Sequence, residues 1–364
     1  MEIPKGNMII IFFSSMFIIF TAFLNFLPLY FVHAQDSIDV RNRTDQVYIP
    51  RTISTESQEK LRNFYMRPFE LESPIPNDLN GWIKLYQEIE SIGLKISESM
   101  RDLYVPNITE TILGGINVLD IKPKGWSDNG KVLVYTHGGG YKLFSANSTL
   151  FNSVLASNST GLRVISINYT VAPFSKWNQT TDEVISVIQA LKDEEGYSSK
   201  DIAIYGESAG GGLAAGSVLK MRDNGMDMPA AVVLWSPLAD VTLSGDTYST
   251  LRDADLYSRY SPYFVYAPDA YADEEDQKNP YVSPVYGNFS KGFPPTLIQC
   301  GTKEYLLSDS VRLYQALDQA DKLVKLDIYE GMPHVFQSLL INTTESDIAL
   351  SKMNDFLRLH LDYR

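Results

Sequence analysis

The 364-residue sequence predicts an α/β fold, a mostly parallel central sheet flanked by helices on both faces. Two observations carry that expectation. Short, nearly unbroken apolar runs alternate with segments whose apolar residues recur at helical spacing, and two of those runs end directly in glycine-rich turns. The runs are Lys131–Thr136, Arg163–Tyr169, Ile202–Tyr205, Ala231–Trp235, Thr296–Cys300 and Val324–Tyr329. Continuous apolar strands of this kind are buried on both faces, which is the signature of a parallel sheet. Helical spacing covers Asp182–Lys192, Ala209–Asp223, Ser308–Ala320 and Ser346–Leu361. Thr111–Pro123 reads as an extra strand pair feeding the first core strand. No internal repeat or low-complexity tract interrupts this pattern.

Upstream of residue 109 the texture differs. Residues 35–108 read as a helical segment covering one end of the body, with helical patterns at Ser54–Tyr65 and Leu79–Met100 around a proline-containing stretch and no convincing strand. Residues 109–364 form the α/β body. Residues 1–34 read as an export signal, because no charge falls between Lys5 and Asp36 and a small-residue pattern precedes Gln35. The apolar run at residues 8–32 is also long enough to anchor the chain in a bilayer, and that reading stays open. Asn-x-Ser/Thr triplets at Asn42, Asn107, Asn147, Asn158, Asn168, Asn178, Asn288 and Asn342 point to an exported glycoprotein. Asn168 is discounted because it lies in an apparent buried strand.

The composition excludes several function classes. With 44 acidic against 31 basic residues, the net charge is −13, which removes the basic footprint that nucleic acid requires. A single cysteine, Cys300, rules out a disulfide framework and a cysteine-based metal site. No metal and no cofactor is expected. Four histidines leave few candidates for imidazole chemistry.

Tyr205-Gly206-Glu207-Ser208-Ala209-Gly210-Gly211 continues a strand and opens a helix. Gly-x-Ser-x-Gly in that setting is a nucleophile elbow, whose small neighbours permit the strained turn that lifts the Ser208 hydroxyl above the sheet. Thr136-His137-Gly138-Gly139-Gly140 follows another strand, so the N–H groups of Gly138 and Gly139, with that of Ala209, are the candidate oxyanion hole. The base is reached by elimination. His33 lies in the leader, His137 belongs to the glycine loop and is expected to bond backbone there, and His360 sits on the last amphipathic helix. His334 remains, in a loop after the strand ending at Tyr329, where sheets of this class place their sites. The orienting acid must fall between nucleophile and base in chain order. Glu304 is favoured, and Asp309, which also suits a helix first turn, is the alternative.

Together these stretches resemble the hormone-sensitive-lipase-like family, the α/β-hydrolase fold-3 esterases. The resemblance rests on HGGG at 137–140, NYTVAP at 168–173, GESAGG at 206–211, WSPLAD at 235–240, GTKEYLLSD at 301–309 and GMPHVF at 331–336. It implies an α/β-hydrolase fold with a helical cap, and cofactor-free, serine-dependent hydrolysis of short-acyl carboxylic esters. The spacing between Glu304 and His334 also fits the family's acid-to-base gap better than that from Asp309. Glu207 stands where the family usually has Asp, and Thr170 where it has Arg. The expected partner is a small neutral ester. A carbohydrate deacetylase, a peptidase and a non-catalytic binding protein on the same fold are the alternatives.

Overall fold

The computed structural model describes residues 48–65, 74, 78–255 and 268–363; the proposed leader, with Asn42, lies outside them. Two helices come first, α1 (Thr55–Tyr65) and α2 (Leu79–Tyr104). Eight strands follow: β1 (Asn107–Leu113), β2 (Ile116–Lys122), β3 (Val132–Thr136), β4 (Arg163–Ile167), β5 (Ile202–Glu207), β6 (Ala231–Trp235), β7 (Thr296–Gly301) and β8 (Val324–Tyr329). Five longer helices are interleaved, α3 (Leu150–Thr160), α4 (Trp177–Asp193), α5 (Ala209–Asp223), α6 (Leu307–Asp318) and α7 (Thr344–Leu361). The expected boundary at residue 109 cuts β1, which already begins at Asn107.

The sheet order is β1-β2-β4-β3-β5-β6-β7-β8, and only β2 runs against the rest. Every residue of β3, β4, β5, β6 and β7 is buried, as their unbroken apolar sequence requires. Side chains alternate between two cores. Val132, Val134, Ile202 and Ile204 enter one, while Leu133, Tyr135, Ala203 and Tyr205 enter the other. The edge strand β1 carries Asn-Ile-Thr-Glu-Thr and is largely exposed, because it has a neighbour on one side only.

α3 was not evident in the sequence. Its composition, Leu-Phe-Asn-Ser-Val-Leu-Ala-Ser-Asn-Ser-Thr, is poor in strong helix formers and has no clean apolar stripe. Tertiary packing makes it helical, since most of its residues are buried, Val154 and Leu155 in the second core. Asn168 corrects a second expectation. The strand stops at Ile167, and Asn168 is exposed just beyond it.

The upstream helices meet the loops that leave the sheet's carboxyl end. α1 brings Leu61, with Ile53 just before it, against Met332 and Phe336, which flank His334 in the chain. Leu85 and Ile89 of α2 pack on Leu143, and Ser97 Oγ donates to the Ser148 carbonyl at 3.0 Å.

Candidate active site

β5 delivers Ser208 at a backbone of φ 56°, ψ −126°, a region costly for any residue with a Cβ, by about 1–3 kcal/mol. The surroundings hold it there. Ser208 N–H donates to the Trp235 carbonyl at 2.9 Å, and its carbonyl accepts from Leu238 N–H at 2.8 Å. A Cβ on Gly206 would come within 2.3 Å of the Gly210 carbonyl, and one on Gly210 within 2.0 Å of the Thr136 carbonyl. Small neighbours are thus obligatory at this turn. Ser208 is the partly exposed residue of a buried run, and α5 starts immediately behind it.

His334 and Ser208 line one cavity of about 100 Å³ with Gly139, Gly140, Leu238 and Tyr305. His334 Nδ1 lies 2.8 Å from Glu304 Oε2. The other oxygen of Glu304 accepts from Gly301 N–H at 2.7 Å, and the carboxylate is wholly buried. Burial pulls the imidazole pKa down, but the bond and charge of Glu304, with the nearby Asp255 and Glu207 carboxylates, hold it above the ordinary value. The loop is fixed from β6 as well, where Ser236 Oγ accepts from Val335 N–H at 3.0 Å.

Asp309, the alternative acid, is elsewhere. Its Oδ2 accepts from the N–H groups of Ala239 and Asp240 at 2.8 and 2.9 Å and from Tyr248 OH at 3.0 Å. Burial pushes its pKa up to about 8. Sitting in the first turn of α6, it anchors the segment after β6 and does not reach His334.

The expected oxyanion donors also need one correction. Gly138 N–H donates to Glu207 Oε1, so it is committed inside the protein. The N–H groups of Gly139, Gly140 and Ala209 meet no acceptor among the described residues. Gly139 and Gly140 hold φ of 105° and 62°, a backbone that glycine adopts without strain. His137 serves the loop, as elimination expected. Its ring stacks on Tyr169 at 4.0 Å, Nδ1 lies 2.8 Å from the Gly138 carbonyl, and burial lowers its pKa to about 4. His360 packs on Phe356 in α7, and Cys300 is a buried thiol whose pKa burial raises.

The sequence comparison now decides the family. An α/β-hydrolase-fold family model matches residues 133–338, more than half of the chain. The chain belongs to that family. It is similar to an esterase of Acinetobacter venetianus, 30% identical over 244 residues that cover 67% of this chain and 79% of the relative. An acetyl-hydrolase of Streptomyces hygroscopicus is 28% identical over 264 residues, 72% of this chain and 87% of the relative. Among solved structures, an esterase superposes with TM-score 0.78 at 25% identity, covering 86% of this chain and 97% of its own. A hormone-sensitive lipase from a metagenome library gives TM-score 0.73 at 28% identity over 85% and 99% of the two chains. This α/β hydrolase is therefore a serine carboxylesterase of the hormone-sensitive-lipase-like group.

Several supporting residues of the hydrolase leave no signal in the sequence. Ser236 and Asp255 carry no spacing signal, since each reaches the site through a loop whose path only the fold defines. Glu207 was legible only as a departure from Asp. Its longer side chain spans to Gly138 N–H, Tyr135 OH and Asn152 Nδ2. Thr170, the other departure, satisfies Glu183 with its N–H at 2.7 Å and its hydroxyl at 2.9 Å. Among the described residues no group of three or more His, Cys, Asp or Glu could hold a metal ion.

Proposed function

We propose that this carboxylesterase is exported and cleaves short-acyl esters, with Ser208 as nucleophile, His334 as base and Glu304 as the residue that orients the base. The observation that carries this reading is the 2.8 Å contact between Glu304 and His334 in the cavity that also holds the strained Ser208. His334 removes the Ser208 Oγ proton as Oγ bonds to the ester carbonyl carbon. Gly139, Gly140 and Ala209 N–H groups stabilise the resulting oxyanion. The tetrahedral intermediate collapses, the alkoxide leaves with the proton held by His334, and an acyl-enzyme remains. Water, deprotonated by His334, attacks that acyl group in turn, and the second collapse releases the acid and restores Ser208.

The short-acyl preference is supported by the small cavity and by the relatives named acetyl-hydrolase and acetyl esterase. Export is supported by the apolar run at residues 8–32 and by the sequons, of which Asn107, Asn158, Asn168, Asn178, Asn288 and Asn342 are exposed. Ser208→Ala tests the chemistry. It should lower hydrolysis of 4-nitrophenyl acetate by roughly 10⁶-fold in kcat with the melting temperature retained, and it should abolish labelling by a serine-directed phosphonate. Equal rates in variant and parent would refute the assignment. Recovery of the full-length chain, unprocessed and unglycosylated, from the cytoplasm of its host would refute export.

A further inference from the structure

The cavity wall contains a lysine with no counter-ion. Lys142 is only 6% exposed and lines the same cavity as Ser208 and His334. Lysine is almost never buried unless paired, because removing an ammonium from water is costly. Lys122, Lys131, Lys176, Lys192, Lys220 and Lys352 all meet a carboxylate. Lys142 makes no ion pair and no side-chain hydrogen bond among the described residues, although the chain has 13 more acidic than basic residues. Among the described residues its ammonium meets the Trp82 ring of α2, 5.5 Å from the centroid. Glu207, the carboxylate among the residues lining that cavity, is engaged with Gly138 N–H. Burial lowers the Lys142 pKa to about 8, so it remains mostly charged at pH 7.

We propose that Lys142 receives a carboxylate carried by the ester substrate, so that the enzyme selects esters with one anionic end over neutral esters of the same shape. This rests on the esterase reading above and narrows its substrate class. Lys142 N–H donates to the Gly139 carbonyl at 3.1 Å, which ties the lysine to the glycine loop three residues before it. Lys142 and Ser208 line the same cavity, so a carboxylate on an ester bound at Ser208 shares that cavity with the lysine. Phe144 and Phe151 of the same wall lower the local dielectric and strengthen such a pair. The carboxylate can belong to the acyl part, as in a dicarboxylic acid monoester, or to the alcohol part, as in the acetate of a hydroxy acid.

Two substrate pairs of equal shape distinguish these sources. Monoethyl succinate against ethyl succinamate probes the acyl side, and 3-acetoxypropanoate against 3-acetoxypropanamide probes the alcohol side. In at least one pair the wild-type ratio of kcat/KM, carboxylate over amide, should exceed that of Lys142→Met by about tenfold, with Lys142→Arg between them. Ratios within twofold of each other in wild type and Lys142→Met, for both pairs, overturn the proposal, as expected of a lysine that merely reaches water. If Lys142→Met does not fold, the wild type decides, because a ratio below one in both pairs overturns it equally. Turnover of the neutral amides by wild type and its loss in Ser208→Ala report on the esterase reading separately.

Discussion

Glu207 Oε1 accepts the N–H of Gly138, so the residue before Ser208 holds the glycine loop that lines the same cavity. A Cβ on Gly138 would lie 2.3 Å from the same carboxylate, so any other residue there would displace the Glu207 side chain. Loop and elbow, 69 residues apart in the chain, are thus joined at one hydrogen bond. Cutting it should misplace the oxyanion donors. Glu207→Ala is expected to lower kcat on the order of 10²-fold with KM little changed, measured on 4-nitrophenyl acetate.

The same carboxyl sets a pH dependence of stability. Burial raises its pKa from 4.5 to about 7, so the folded protein favours the protonated form. That contribution is complete below pH 4.5 and is lost as pH rises through 7. Glu207→Gln, which cannot ionise, should lose less melting temperature than wild type between pH 5 and pH 8. Parallel curves would contradict the assignment.

With His334 as the proposed base, its protonation sets the acid limb of the rate. Its pKa is held above the ordinary 6.5, and the base must be neutral to accept a proton. The acid limb of kcat/KM should therefore have its midpoint above 6.5. Glu304→Gln removes the principal raising cause while burial remains, so the midpoint should move down as kcat falls by roughly 10⁴-fold.

Asp309 provides the contrast. Asp309→Asn retains an amide oxygen for the Ala239 and Asp240 N–H groups and should keep kcat within about threefold of wild type. Asp309→Ala leaves those buried donors unpaired and should lower stability by about 1–3 kcal/mol in urea unfolding. A kcat loss in Asp309→Asn matching that of Glu304→Gln would reverse the two roles.

Arg163 offers a test remote from the site. It meets Asp120 at 2.9 Å through Nε and also reaches Glu195, with Arg163 and Asp120 each 8% exposed. Arg163→Met removes the bidentate partner of Asp120, which keeps Lys122 at 3.1 Å, and should destabilise the fold by about 1–3 kcal/mol, leaving KM for small esters unchanged.

Most strands were legible because their burial on both faces writes an unbroken apolar run, as in Ala231–Trp235. α3 was not, because its polar composition acquires helical form only when packed. Asn168 misled for the same reason in reverse. The apolar run continues into Tyr169, but the strand ends at Ile167, where the backbone leaves the sheet.

By itself the sequence determined the family and the order of elements, and it singled out Ser208 and His334 as the proposed nucleophile and base. These follow from short-range pattern, a strand, a tight glycine turn and a helix, and from the scarcity of histidine. Tertiary structure decided which acid meets His334, that Gly138 N–H belongs to Glu207, and that Lys142 is buried in the cavity it lines with Ser208, without an ion pair among the described residues. Glu304 and Asp309 differ by one turn of chain, and both are carboxylates suited to the role. What separates them is the direction in which a buried loop turns its side chains, and that is settled by packing among segments distant in sequence.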